Sequence, residues 1–189
     1  VRIANDTSVV KASTRDLAIL AEKKISAATT VAATSHIAAL AGIELFATGG
    51  LGGVHRGDGF DESADLRQLS NTKIIIVCAG VKSILNVAAT LERLETLAVP
   101  VLGYKTNRFP GFFLTDSGFD LEYRVDSAKE IADIWQKRSG VATSDSAIVV
   151  TNPVEKQLDK TLHDKLLKDG MKAAEDQHVI GKAVTPFLL

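Results

Sequence analysis

The chain has 189 residues, 46% of them hydrophobic and 24% charged, enough to bury a sizeable core in a single α/β domain spanning residues 1–189. Its 22 basic and 23 acidic side chains give a formal charge of -1, which leaves no basic field to hold a nucleic-acid backbone. One cysteine excludes an internal disulfide framework and favours a reducing, cytoplasmic setting; without an apolar run of about 18 residues or a signal-peptide layout, no membrane or secretory route is expected.

Short β-rich runs alternate with longer helical ones, the pattern of a layered α/β domain. Residues 14–21 predict a helix opened by a hydroxyl cap, and residues 29–41 an Ala-rich helix closed by Gly42. Residues 44–48 read as a buried strand that runs into the glycine cluster 49–57. A short helix is expected over 63–69. Lys73-Ile74-Ile75-Ile76-Val77-Cys78-Ala79 is the clearest strand, continuous enough to be covered on both faces and central in its sheet. Gly80 then turns the chain into a helix over 83–96, with Leu85, Ala88, Leu91 and Leu94 on its apolar stripe. A strand at 99–104 and a loop at 107–118 follow, then a half-buried strand at 121–125. The capping box Ser127-Ala128-Lys129-Glu130 starts a helix that runs to about Arg138. A last strand lies at 147–150, and a polar helical region covers 155–177, interrupted at Gly170. The expected fold class is α/β, a layered mixed sheet flanked by helices. A start at Val1 and an apolar end at Phe187-Leu188-Leu189 read as a chain cut at both ends.

Lys82 follows the carboxyl end of the strongest strand and is expected at the start of the next helix, where open α/β sheets place ligands. Near a helix N-terminus and other cations its ammonium form is disfavoured, and a neutral amine attacks carbonyl carbon; the alternative is a surface lysine. Phe60-Asp61-Glu62-Ser63-Ala64-Asp65-Leu66 sets three carboxylates and a hydroxyl at a helix start. Either these cap the helix, or Asp61 binds a hard cation while Ser63 and Asp65 face a substrate. One carboxylate with waters suits Mg²⁺ or Mn²⁺ better than zinc. The glycine loop can cradle a phosphate on backbone N–H groups, with His55 and Arg56 adding charge. It lacks both the P-loop ending and a clean Gly-x-Gly-x-x-Gly register, which argues against a nucleotide-binding module. Lys11-Ala12-Ser13-Thr14-Arg15-Asp16 gathers two cations and two hydroxyls that hold a phosphate or simply cap a helix. Cys78 reads as a packed core residue, and His36, His163 and His178 as structural residues on helices.

Taken in order, these segments resemble the pseudouridine-5'-phosphate glycosidase family, also called indigoidine synthase A-like proteins. The strings that carry the resemblance are Lys11-Ala12-Ser13-Thr14-Arg15-Asp16-Leu17, Ala28-Thr29-Thr30-Val31, and Phe46-Ala47-Thr48-Gly49-Gly50-Leu51-Gly52-Gly53-Val54-His55-Arg56-Gly57. Later come Ser63-Ala64-Asp65-Leu66, Val77-Cys78-Ala79-Gly80-Val81-Lys82-Ser83, Leu91-Glu92-Arg93-Leu94, and Gly181-Lys182 before Thr185-Pro186-Phe187-Leu188-Leu189.

The resemblance implies reversible cleavage of the C–C glycosidic bond of pseudouridine 5'-phosphate to uracil and ribose 5-phosphate. By motif position, Lys82 is the Schiff-base nucleophile, Asp61 binds Mn²⁺ mainly through waters, and Lys11, Thr48 and His55 hold the phosphate. Val31 lines the pocket, while Ser63, Ala64 and Asp65 contact the sugar, Asp65 also moving protons. It further implies a homotrimer. Two departures stand out: Glu62 replaces a usually apolar residue, and the stretch between Gly57 and Phe60 is shorter than usual. The family's glutamate general acid and base-recognising asparagine fall before Lys11 and after Leu189, outside this sequence. An alternative is therefore a truncated non-catalytic relative that binds phosphosugar or assembles with full-length subunits.

Overall fold

The computed structural model describes residues 5–57, 60–141, 145–179 and 183–188; the Gly181-Lys182 pair and the ends at Val1 and Leu189 lie outside the described residues. Five strands form the main sheet: β3 (Leu45–Ala47), β5 (Ile75–Cys78), β7 (Val101–Tyr104), β8 (Tyr123–Val125) and β9 (Ile148–Thr151). Their order is β3-β5-β9-β7-β8 and every pair is parallel. The layered α/β class follows the sequence reading; among the described residues the named strands that pair antiparallel are β4 (Val54–His55) and β6 (Leu85–Asn86), in a separate ribbon. The strand over 73–79 lies one in from the edge as β5, and the central position belongs to β9, buried at all of its positions.

Alternation along the strands divides the core into two layers, because successive side chains leave opposite faces. Ile76, Cys78 and Val149 join Leu51, Leu66, Leu69, Leu94 and Phe109 on one face. Ile75, Ile148, Val150, Leu102 and Val125 meet Ile131, Ile134 and Trp135 on the other. The second face is covered by α5 (Ala128–Lys137), whose N-cap Ser127 accepts from Glu130 N at 3.1 Å while the Glu130 carboxylate reaches back to Asp126 N.

Elsewhere local propensity lost to tertiary pairing. The helix expected from Thr14 is a 3₁₀ turn, Thr14–Asp16, followed by α1 (Leu17–Lys23). Val10–Ala12 (β1) and Ala27–Thr29 (β2) form a parallel ribbon that is too short to show in the apolar pattern. Thr29 is therefore a strand end, and α2 (Val31–Leu40) starts behind Thr30, whose side chain accepts from Ala33 N. The helix expected over 83–96 begins only at Val87 as α4 (Val87–Thr96), because Leu85 and Asn86 pair with β4 and Asn86 caps the helix through Ala89 N at 3.0 Å. Within the region 155–177 the helix begins only at Lys160, behind the Asp159 cap, and runs as α6 (Lys160–Asp176) without a break at Gly170. A Cβ at Gly170 would lie 2.9 Å from Leu188 of α7 (Val184–Leu188), so this glycine seats a neighbouring element. His178 falls past the helix end, in a left-handed turn.

Thr90 of α4 is fully buried; its hydroxyl donates to Asn86 O at 2.6 Å and accepts from Val54 N at 3.0 Å. Thr90→Val keeps the shape but leaves the Val54 N–H without its acceptor. Urea unfolding should show a loss of about 1–3 kcal/mol, with Thr90→Ser close to the parent chain.

Candidate active site

The carboxyl ends of β3 and β5 run on into two loops that remain paired. Thr48 N donates to Val77 O at 2.9 Å, Ala79 N to Gly49 O at 3.0 Å, Leu51 N to Gly80 O at 3.0 Å and Lys82 N to Leu51 O at 3.2 Å. The glycine loop and the lysine turn are thus laced together by main-chain bonds, and Leu51 and Val81 continue the parallel pairing. Gly80 has φ +100°, and a Cβ there would collide with the carbonyl of Pro110, so only glycine takes this turn. The site lies outside the carboxyl edge of a parallel sheet, as expected for this class of fold.

Asp65 is the structural centre of the site. It lies in the first turn of α3 (Ala64–Leu69), but Ser63 caps that helix by accepting from Asp65 N at 3.2 Å. The Asp65 carboxylate is 3% exposed; Oδ1 accepts from Ala32 N at 2.8 Å and Oδ2 from Gly52 N at 2.8 Å. Of the two sequence readings, helix capping belongs to Ser63, and Asp65 instead joins two other segments. A Cβ on Gly52 would lie 2.7 Å from Oδ2 and collide with Ser63 Oγ. Glycine here lets the main chain reach the carboxylate.

Lys82 is half-buried on the turn before β6, ahead of the Asn86 cap of α4 and not at the helix start that the sequence suggested. Its ammonium pKa is nevertheless lowered. Burial is the largest cause; Asp65 opposes it by favouring the charged form, and Lys11 adds to the lowering. Lys11, Asp65 and Lys82 therefore share one electrostatic neighbourhood. Lys11 lies on β1, Val31 opens α2 next to Ala32, Thr48 ends β3 against β5, and Ala64 begins α3 with its side chain exposed.

His55 and Asp61 form the adjoining edge. His55 N donates to Asp61 O at 2.8 Å, and His55 Nδ1 stands 3.9 Å from the half-exposed Asp61 carboxylate. Glu62 is drawn away into a two-pronged pair with Arg93 at 2.8 and 3.0 Å. Arg56 does not point its charge into the glycine loop: Nε and Nη2 donate to the carbonyls of Leu85 and Ser83 at 3.3 and 3.2 Å. Among the described residues no group of three His, Cys, Asp or Glu side chains converges as a metal cage. The hydroxyls of Ser13 and Thr14 are buried without a hydrogen-bond partner among the described residues.

Cys78 is buried beneath the site with its thiol pushed up to about 12, chiefly by desolvation, and is inert as a nucleophile. His36 is engaged with Gln68 at 3.5 Å, and His163 with Asp164 at 3.1 Å. A cavity of about 750 Å³, lined by Leu91, Val99, Tyr123 and Ile134, opens at the amino ends of β7, β8 and β9, away from this chemistry. Sequence reasoning missed the amides of Ala32 and Gly52. The spacing of glycines around Gly52 signals close backbone approach, whereas nothing in the sequence links Ala32 to Asp65.

A model of the family described as indigoidine synthase A-like protein matches residues 1–189. The chain is 55% identical over 192 residues to a pseudouridine-5'-phosphate glycosidase of Salinispora tropica, covering all of this chain and 59% of that protein. A protein of the same name from Saccharopolyspora erythraea is 52% identical over 191 residues, covering 99% of this chain and 63% of its own length. The chain thus spans less than two thirds of these relatives. Among solved structures, the prealnumycin C-glycosynthase AlnA in complex with ribulose 5-phosphate superposes with a TM-score of 0.89 at 33% identity, covering 99% of this chain and 63% of that one. An indigoidine synthase A-like protein of Thermotoga maritima gives a TM-score of 0.86 at 37% identity, covering 95% and 60%.

The charges around Lys82 predict opposite shifts. Mapping amine modification against pH should show Lys82 reacting at lower pH than exposed lysines. Asp65→Asn should move its midpoint further down, because the carboxylate favours the ammonium, and Lys11→Met should move it up. Asp65→Asn also turns an amide group toward a backbone N–H and should cost about 1–3 kcal/mol of stability in urea unfolding.

Proposed function

The chain belongs to the indigoidine synthase A-like family, and from that premise we propose that it carries the nucleophile and phosphosugar part of a pseudouridine-5'-phosphate glycosidase. The observation that carries this reading is Lys82, a half-buried amine with a depressed pKa beside the buried Asp65, on a turn laced to a glycine loop. Relatives named for this activity at 50–55% identity favour turnover over a non-catalytic, phosphosugar-binding role.

In the cleavage direction the neutral Lys82 amine attacks C1' of the sugar: a C–N bond forms, the ring C–O bond breaks, and a proton from the nitrogen passes to the released ring oxygen, leaving the nitrogen its lone pair. The nitrogen lone pair then expels the uracil carbon: the C–C bond breaks, an iminium forms, and the leaving carbon takes a proton. Water hydrolyses the iminium to ribose 5-phosphate and returns the amine. A carbon leaving group gains nothing from protonation at oxygen, so covalent assistance by an amine fits it better than a carboxylate pair. Lys11, Thr48 and His55 hold the phosphate, with the unpartnered hydroxyls of Ser13 and Thr14 close in sequence to Lys11. Val31 lines the pocket and Ser63 and Ala64 meet the sugar. Asp65 fixes the loop and moves protons between sugar oxygens.

Asp61 fits a hard divalent cation such as Mn²⁺, because its carboxylate is half-exposed with room for water ligands and His55 Nδ1 stands 3.9 Å away. Bound there, such an ion would order water and offset phosphosugar charge. Assembly into a homo-oligomer, a trimer by resemblance, belongs to the same reading. Among the described residues no helix is long and apolar enough to cross a membrane, and a cytoplasmic phosphosugar substrate is in keeping with that.

Incubation with ribose 5-phosphate and Mn²⁺, followed by borohydride reduction and peptide mapping, should give a sugar-phosphate adduct on Lys82 that Lys82→Ala loses. Only the neutral amine reacts, so trapping should rise with pH and level off below the ordinary lysine range near ~10.4. A folded sample that gives no adduct would favour the non-catalytic reading.

A further inference from the structure

The loop after β7 is bonded to the lysine turn at Ala79, Gly80 and Ser83. Phe109 is fully buried, and its carbonyl accepts from Ser117 N at 2.9 Å and Ser117 Oγ at 2.7 Å. Gly111 bridges Gly80, its N–H donates to Leu114 O at 2.8 Å, and its carbonyl accepts from Ser83 Oγ at 3.1 Å. Between these anchors Phe112 holds φ at +68°, a left-handed conformation that a side chain with a Cβ disfavours. Such a conformation persists only where the surroundings over-determine it, and these places cluster at functional sites.

The surroundings here are specific. Phe112 N donates to Ala79 O at 3.0 Å, and Leu158 N holds the Phe113 carbonyl at 3.0 Å. The Phe112 ring lies so close over the glycine loop that a Cβ on Gly50 would be 2.5 Å from two ring carbons, and one on Gly49 would be 3.6 Å away. Phe113 meets that ring edge-on at 4.4 Å. Residues on both sides of Lys82, Gly80 and Ser83, are therefore tied to Gly111, and the glycine pair bonded to the same turn is covered by the next residue's ring.

We propose that Phe112 is a positioning residue for Lys82: its left-handed backbone pins the turn at Ala79 and its ring packs on the buried Gly50, next to the Leu51 whose main chain is bonded to the lysine turn. The proposal rests on the reading of Lys82 as nucleophile. Asp65 and Lys11 are the charged groups that act on the amine, and neither belongs to the Phe112 loop. Burial is the largest influence on this lysine, so a turn that loosens and admits water favours the ammonium and raises its pKa.

Two variants separate ring from backbone. Phe112→Gly removes the ring while accepting the left-handed conformation and keeping the N–H bond to Ala79, and Phe112→Tyr keeps the ring. Thermal unfolding checks that both fold, and Phe112→Leu replaces the glycine variant if it does not. The first readout is borohydride trapping of ribose 5-phosphate on Lys82. Phe112→Gly should trap about tenfold more slowly at saturation, with half-saturation changed less than about twofold, whereas Phe112→Tyr should stay near the parent. The second is the pH dependence of Lys82 acetylation by acetic anhydride, which needs no substrate. Its midpoint should move up toward ordinary lysine in Phe112→Gly. An unmoved acetylation midpoint, a loss confined to half-saturation, or an equal loss in Phe112→Tyr overturns the proposal. If the parent chain forms no adduct, the nucleophile reading fails by itself, and the acetylation midpoint alone decides the role of Phe112.

Discussion

Two backbone N–H groups converging on one buried carboxylate organise this site. Asp65 accepts from Ala32 at the start of α2 and from Gly52 in the glycine loop, while its own main chain belongs to α3. A buried carboxylate is tolerated only when its oxygens are satisfied. Meeting that requirement forces two helix starts and a loop to one point. The loop in turn is bonded to the lysine turn, so the placement of Lys82 inherits the precision of the Asp65 contacts.

The same contacts set the chemistry. The ammonium of Lys82 is less favoured than that of an exposed lysine, because the side chain is half-buried and shares its surroundings with Asp65 and Lys11. Burial and Lys11 favour loss of the proton, and Asp65 restrains it. The sheet supplies a rigid base beneath: β5 is paired with β9 along Ile75–Cys78 and Ile148–Thr151, and the carboxyl ends of β3 and β5 lead directly to the site. Glycine is required where main chain replaces side chain, at Gly52 against a carboxylate and at Gly80 in a turn with positive φ. The Glu62–Arg93 pair shows how the carboxylate next to Asp61 is accommodated: it pairs with Arg93 on α4 and leaves Asp61 facing His55.

Much of the architecture was legible in the residues. The Ile-Ile-Ile-Val run at 74–77 announces a strand covered on both faces and the Ile-Val-Val run of β9 a last strand, and Ser127 with Glu130 marks a helix start. The failures share a cause. Val10–Ala12, Ala27–Thr29 and Leu85–Asn86 are two- and three-residue strands, too short for periodicity to register, and they exist because a distant partner supplies their hydrogen bonds. The displaced start of α4 follows from that pairing, and Gly170 was misread because a glycine that breaks a helix and one that seats a neighbour look alike in sequence.

By itself the sequence determined which residues are chemically able to act, the lysine after the strongest strand, the acidic string Asp61 to Asp65 and the glycine cluster, because those properties reside in side-chain type and local order. Only the tertiary structure decided how they are used. It sent Arg56 to the carbonyls of Ser83 and Leu85, gave the helix cap to Ser63 and freed Asp65 to bind Ala32 and Gly52. It also set a strained Phe112 against the turn that carries Lys82. Hydrogen-bond partners and solvent exclusion depend on segments far apart in the chain, and local order does not encode which of them will meet.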